Sequence, residues 1–247
     1  TATLTIAESV MDIVWSDLEF TYDKTEHKPT AKYTDLEGEH ILTVTVDEGI
    51  KAGTHTATAA SVEGIEFSNP QKTFVIKKAD YDMTGVSLVS GSFVYDGKPH
   101  SLEITGTLPK GLDDTTPSVS YVGGQTDVGS STVTAVFTST SQNYNDPAPI
   151  PASVTVTKAE YTMDVEFKDK TVTYNGYTQI IEITGTLPTG LDGKQVTVEY
   201  VGGQLGKGTS LITAKFSTES DNYNAPGDKP AWITVEALSR VVSWTNQ

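Results

Sequence analysis

Acid–base chemistry needs an imidazole or carboxyl group held beside a second polar partner, and the imidazoles on offer are His27, His40, His55 and His100. Three of them fall in the first third of the chain. His100 lands on Gln179 when the sequence is shifted by 79 residues, so its copy does not keep the ring. Neither an HExxH helix pattern nor a nucleophile elbow accompanies them, and the expectation is scattered surface histidines with no catalytic residue. Among the carboxylates, Asp80, Asp82, Asp113, Asp114, Asp192 and Asp221 offer the hard oxygens that calcium takes. No DxDxDG loop organises them, and Asp82 and Asp114 meet non-acidic residues in the next copy. A solvated acidic surface without a cofactor or metal is therefore expected, with Ca2+ as the alternative. There is no cysteine, which removes disulfides and thiolate zinc sites. A Lys-to-Asn isopeptide bond would be the covalent alternative, and the sequence does not place one.

Ligand contact has a better claim on two aromatic residues. Ile233 and Val235 take the places of Val154 and Val156 in the copy before, so Trp232 replaces an outward-facing Ser153. Tyr177 likewise replaces Lys98 next to a turn. Trp232 and Tyr177 are thus the candidate ligand-binding residues, for a host or cell-wall glycan or glycoprotein, against the plainer reading that they pack on an adjoining module. Other partners are disfavoured. With 32 Asp and Glu against 17 Lys and Arg, the net charge of −15 repels a phosphate backbone or an anionic membrane surface, so no nucleic acid is expected. No apolar run approaches the roughly 20 residues of a membrane span, and no membrane insertion is expected. The start at Thr1 lacks the layout of a signal peptide, which reads as an internal fragment of a longer, monomeric protein.

The elements that must position these residues repeat. Tyr95, Gly97, Ile104, Pro109, Tyr121, Phe137 and Tyr144 recur as Tyr174, Gly176, Ile183, Pro188, Tyr200, Phe216 and Tyr223, each 79 residues later. ITGTLPKGLD from 104 to 113 returns as ITGTLPTGLD from 183 to 192, and YVGGQ returns unchanged. A diverged first copy carries FTYD, AGTHTATA and FVIKKADY. The expected layout is a closing strand of a preceding module at 1–7, modules at 8–78, 79–158 and 159–238, and the start of a following module at 239–247. Thr3 to Ile6 and Val241 to Trp244 carry the two end assignments.

Within a module, apolar and polar residues alternate with period two: Val133, Ala135 and Phe137 against Thr132, Thr134 and Val136; Val154 and Val156 against Ser153, Thr155 and Thr157. Turn makers such as Asp96-Gly97, Gly123-Gly124 and Asn145-Asp146-Pro147 separate the runs. With 36% hydrophobic residues, small modules each burying a thin core are expected. The fold class is all-β, a tandem series of immunoglobulin-like β-sandwich modules, with a β-grasp carrying a short helix near GTLPKGL as the alternative. The recurring tyrosines are expected to fill the core with their hydroxyls on backbone groups. The junctions around Lys77-Lys78-Ala79 and Thr157-Lys158-Ala159 hold no glycine or proline, so the joints should be short and stiff, and three modules in line would reach about 100 Å.

The succession Y[DN]G, ITGTLPxGL, YVGGQ, a glycine-led TxTAxF strand, NYN and a closing VTVxKA resembles the MBG-type repeats of bacterial cell-surface adhesins and secreted multidomain proteins. The likeness covers 79 to 238, while the first module lacks the GTLP and NYN motifs. It implies a secreted or cell-surface location and a stalk, spacer or adhesion role without catalytic residues. A carbohydrate- or glycoprotein-binding accessory region of a large secreted glycosidase or protease is the competing expectation.

Overall fold

The structure is a computed structural model that describes residues 9–239. The strands expected at Thr3 to Ile6 and Val241 to Trp244 lie outside the described residues. Among the described residues there are strands and turns but no helix, so none is long and apolar enough to cross a membrane. The protein is all-β and built of tandem sandwich-like modules. Residues 106–114, where a β-grasp would place its helix, form turns and irregular chain.

Two units divide the chain. The first comprises the residues up to Val89 with Glu103–Val122 and Thr134–Pro151; the second comprises Ser90–Leu102, Gly123–Val133 and the residues from Ala152 onward. In the first unit, Glu19–Thr21, Gln71–Lys77, Gly53–Ala59 and Val44–Val46 form a four-stranded sheet in that order. Its inner face buries Ala57, Phe74 and Ile76. A three-stranded sheet of Val14–Ser16, Thr30–Asp35 and Gly38–Leu42 packs Ala31, Tyr33 and Leu42 with Ile13 and Ala59, closing a sandwich.

In the second unit the corresponding four strands are Lys170–Thr173, Lys229–Glu236, Gly208–Ser217 and Thr197–Val201. The period-two pattern is obeyed: Ile212, Ala214 and Phe216 are buried while Leu211 and Lys215 face out. In all three copies the short opening strand lies parallel to the closing one, as Glu19↔Val75, Phe93↔Val156 and Val172↔Val235. A parallel pair cannot be joined by a hairpin, so this contact ties the two ends of each copy together across its whole length. The Gly123-Gly124 turn is demanded by space: at φ +101 a Cβ on Gly123 would stand 2.2 Å from the Thr132 carbonyl oxygen.

Two of the apolar clusters cross the sequence junctions. In the first unit Tyr22, Phe74 and Ile76 of the first copy pack with Tyr81 and Tyr144 of the second. In the second unit Tyr95 and Val156 pack with Tyr161, Phe216 and Tyr223 of the third. These two clusters are shared between neighbouring copies, while Ile13, Ala31, Tyr33, Leu42 and Ala59 form one inside the first copy and Ile181, Ile212, Ala231 and Ile233 one inside the third.

Candidate functional site

The most organised cluster of polar and aromatic groups is built twice, once in each unit, where one copy meets the next. In the first unit Tyr144 stacks on Tyr81, with ring centres 4.4 Å apart, and meets Tyr22 edge-on at 5.7 Å. In the second, Tyr223 stacks on Tyr161 at 4.4 Å and meets Tyr95 edge-on at 5.6 Å. Such pairs contribute about 0.5–1.5 kcal/mol each beyond their buried area. The hydroxyls find partners as expected: Leu112 N–H donates to Tyr144 Oη at 3.0 Å, and Leu191 N–H to Tyr223 Oη at 3.2 Å.

A polar frame holds the central ring in place. Ser141 Oγ donates to Asp113 and accepts the N–H groups of Asn143 and Tyr144; Ser220 does the same with Asp192, Asn222 and Tyr223. The asparagine then reaches into the preceding copy. Asn143 Oδ1 accepts Ala52 N–H at 3.0 Å, and Asn222 Oδ1 accepts Val128 N–H at 2.8 Å. The linkers join in, with Ala79 N–H donating to Asn143 O and Ala159 N–H to Asn222 O.

The charges follow from this geometry. Burial works against ionisation of Asp113, yet hydrogen bonds from Ser141, Thr115 and Asn143 outweigh it and hold its carboxyl at about 2. Asp192 is lowered too, against burial, by Ser220 and the Lys194 N–H. Burial, with the nearby carboxylates Asp113 and Asp192, pushes the hydroxyls of Tyr22 and Tyr95 up.

The other sequence candidates fall elsewhere. Trp232 is about half exposed, directly opposite the exposed Leu211 in the antiparallel ladder, and its backbone N–H donates to Asp169 Oδ1 at 2.7 Å. Tyr177 is more exposed still and belongs to the turn beyond Thr173, which pairs with Glu236 at the far end of the strand that carries Trp232. Four strand residues, about 13 Å, separate Trp232 from Glu236 alone, so the two residues stand towards opposite ends of that strand.

Of the acidic candidates, Asp80 accepts Asn145 Nδ2–H, Asp82 accepts Thr84 N–H and Asp114 pairs with Lys110. Among the described residues no three His, Cys, Asp or Glu side chains gather as a metal site.

The histidines are more ordered than scattered surface groups. His100 Nε2 meets Asp96 Oδ1 at 2.9 Å with its ring stacked on Phe93; His27 stacks on Phe20, with Nε2 3.0 Å from Asp23 but not aligned for a hydrogen bond. In the third copy Gln179 Nε2–H donates to Asn175 Oδ1 at 2.6 Å, so an uncharged pair closes the same turn.

Residue spacing missed the joint because NYN reads as a local turn motif. A signal was present all the same: Asp, Ser, Asn and Tyr at 113, 141, 143 and 144 all recur 79 residues later.

Compared with known proteins, the chain matches no family model and no curated sequence. Among solved structures, the three N-terminal domains of the bacteriophage RB49 Highly Immunogenic Outer Capsid protein (Hoc) align over 93% of this chain and 99% of that one, at 12% identity and a TM-score of 0.24.

Proposed function

We propose that this chain is a non-catalytic repeat segment of a secreted or cell-surface bacterial protein, made of MBG-type modules bounded near 8–78, 79–158 and 159–238, and that it acts as a spacer or stalk and as an adhesion module. The observation that carries this reading is the tyrosine joint made twice from the same residues, with an Asn from one copy bonded to the backbone of the copy before. A joint of this kind restrains rotation about a short linker, which is what a spacer needs and a freely hinged binding module does not. Solution scattering on the whole chain tests it. Three copies in line are expected to give a maximum dimension of about 100 Å. A profile fitted by a globule of half that length would refute the spacer role.

A second reading, an accessory region that binds carbohydrate or glycoprotein, draws support from the exposed Trp232–Leu211 pair on the outer face of the last sheet. A glycan array probed with the chain and with Trp232→Ala separates the two. Binding lost in the variant favours this reading, and equal or absent binding removes it.

A further inference from the structure

The face that receives the central tyrosine is present three times and filled twice. Tyr22, Tyr95 and Tyr174 share one backbone setting: each donates its N–H to a closing-strand carbonyl, Lys77, Thr157 and Glu236 respectively, at 2.9 Å. Their rings differ sharply. Tyr22 and Tyr95, covered by Tyr144 and Tyr223, are 5% and 7% exposed, whereas Tyr174 is 41% exposed. The residues around it match as well. Lys207 precedes Gly208 as Ala52 precedes Gly53 and Val128 precedes Gly129, so its backbone occupies the place whose N–H the asparagine caps in the two filled joints. Leu238 stands where Ala159 does, 79 residues on, and is exposed where Ala159 is buried against the following loop. Tyr174, Leu205, Lys207, Ala237 and Leu238 line one open groove, and Tyr174, Leu205 and Leu238 are exposed, with no tyrosine among the described residues placed over Tyr174 as Tyr144 and Tyr223 are over its counterparts.

We infer that this groove is the receiving half of a third joint, and that its occupant is the Ser-x-Asn-Tyr loop of a further repeat carried on the same chain through the Ala237-Leu238-Ser239 linker. The source is the same chain because both filled joints use their own linker, through Ala79 and Ala159, as one wall. The loop's tyrosine would meet Tyr174 edge-on and its asparagine carbonyl would accept Lys207 N–H. Gly206 stands where Asp127 does, so the asparagine amide would turn to its own aspartate, as Asn143 does to Asp113. The inference rests on the spacer reading and adds to it: the segment can be extended by the same coupling it already uses.

Nitration by tetranitromethane, followed by peptide mass spectrometry, tests this. In the chain as it stands, Tyr174 is expected to react at least fivefold faster than Tyr95. The comparison is an extended chain in which residues 162–239 are repeated after Arg240, with the appended counterpart of Tyr174 changed to Phe so that its peptide is distinct. There the Tyr174 rate is expected to fall to within about twofold of Tyr95. Making Tyr223→Ala in the appended copy alone should restore the original rate, and Asn222→Ala there should restore part of it. Tyr174 reacting in the extended chain as fast as before would overturn the inference. So would protection that survives Tyr223→Ala, because something other than the loop would then cover the ring. Scattering from the unextended chain bears on the spacer reading and is untouched by either result.

Discussion

The joint in the first unit and the joint in the second use the same three rings and the same Ser–Asn frame, yet they close the asparagine amide differently. Asn143 Nδ2–H donates to Asp113 of its own copy at 3.2 Å, while Asn222 Nδ2–H crosses to Asp127 of the preceding copy at 3.0 Å. Thr115 adds N–H and hydroxyl donors to Asp113; Lys194 stands in that place in the later copy and adds only its N–H to Asp192. The aromatic geometry is therefore the fixed part of the joint, and the carboxylate that completes it can come from either side. Sequence drift between copies is tolerated wherever a donor still finds an acceptor.

The largest effect should come from removing the fixed part. Tyr144→Ala and Tyr223→Ala each leave a cavity at a joint and a backbone N–H without its hydroxyl partner. Each is expected to cost about 3 kcal/mol in urea denaturation, whereas Tyr174→Ala, at the open groove, should cost less than about 1 kcal/mol. Equal costs at all three positions would break the distinction between filled and open joints.

Next come the carboxylates, where the two joints should separate. Asp127→Ala removes an acceptor used only in the second unit, so hydrogen exchange at the Val128 and Tyr223 amides should quicken while Tyr144 is unchanged. A loss of about 1 kcal/mol is expected. Acid sharpens the same contrast. The unfolded chain protonates a carboxyl near 3.8, and the folded chain holds Asp113 ionised down to about 2. The folded state thus binds fewer protons in that window, so the stability Asp113 contributes is full above about pH 4 and drains away as pH falls towards 2. Denaturation midpoints measured between pH 6 and 2 should fall for the parent chain, and the fall should be shallower in Asp113→Asn.

The smallest effects belong outside the joints. His100→Gln puts at this turn the amide that position 179 already carries, facing Asp96 where Gln179 faces Asn175, and Trp232→Ala alters an exposed ring. Both are expected to stay within about 0.5 kcal/mol of the parent by thermal unfolding. A larger loss for Trp232→Ala would mean that the outer face carries structural weight and would count against its being a free ligand surface.

Much of the fold was legible because β-structure writes its burial into the sequence with period two. The alternation around Val133-Ala135-Phe137 and its turns predicted the strands and the buried face, and the copied motifs predicted their recurrence. Less legible was the parallel pairing of Phe93 with Val156, since partners more than 60 residues apart leave no local pattern. The histidines show the same limit. Loss of the imidazole at Gln179 reads as loss of a role, although the amide keeps the contact.

By itself the sequence determined which residues alternate, where the chain turns, that a unit of about 79 residues recurs and that cysteine plays no part. Only the tertiary structure decided that Tyr22, Tyr95, Tyr144 and Tyr223 serve the junctions as well as the modules, and that Tyr174 has the same backbone seat but an exposed ring. The reason is physical. Period and turn chemistry act between neighbours along the chain, while a ring's burial is set by whatever arrives from the next copy. Identical tyrosines therefore meet different fates.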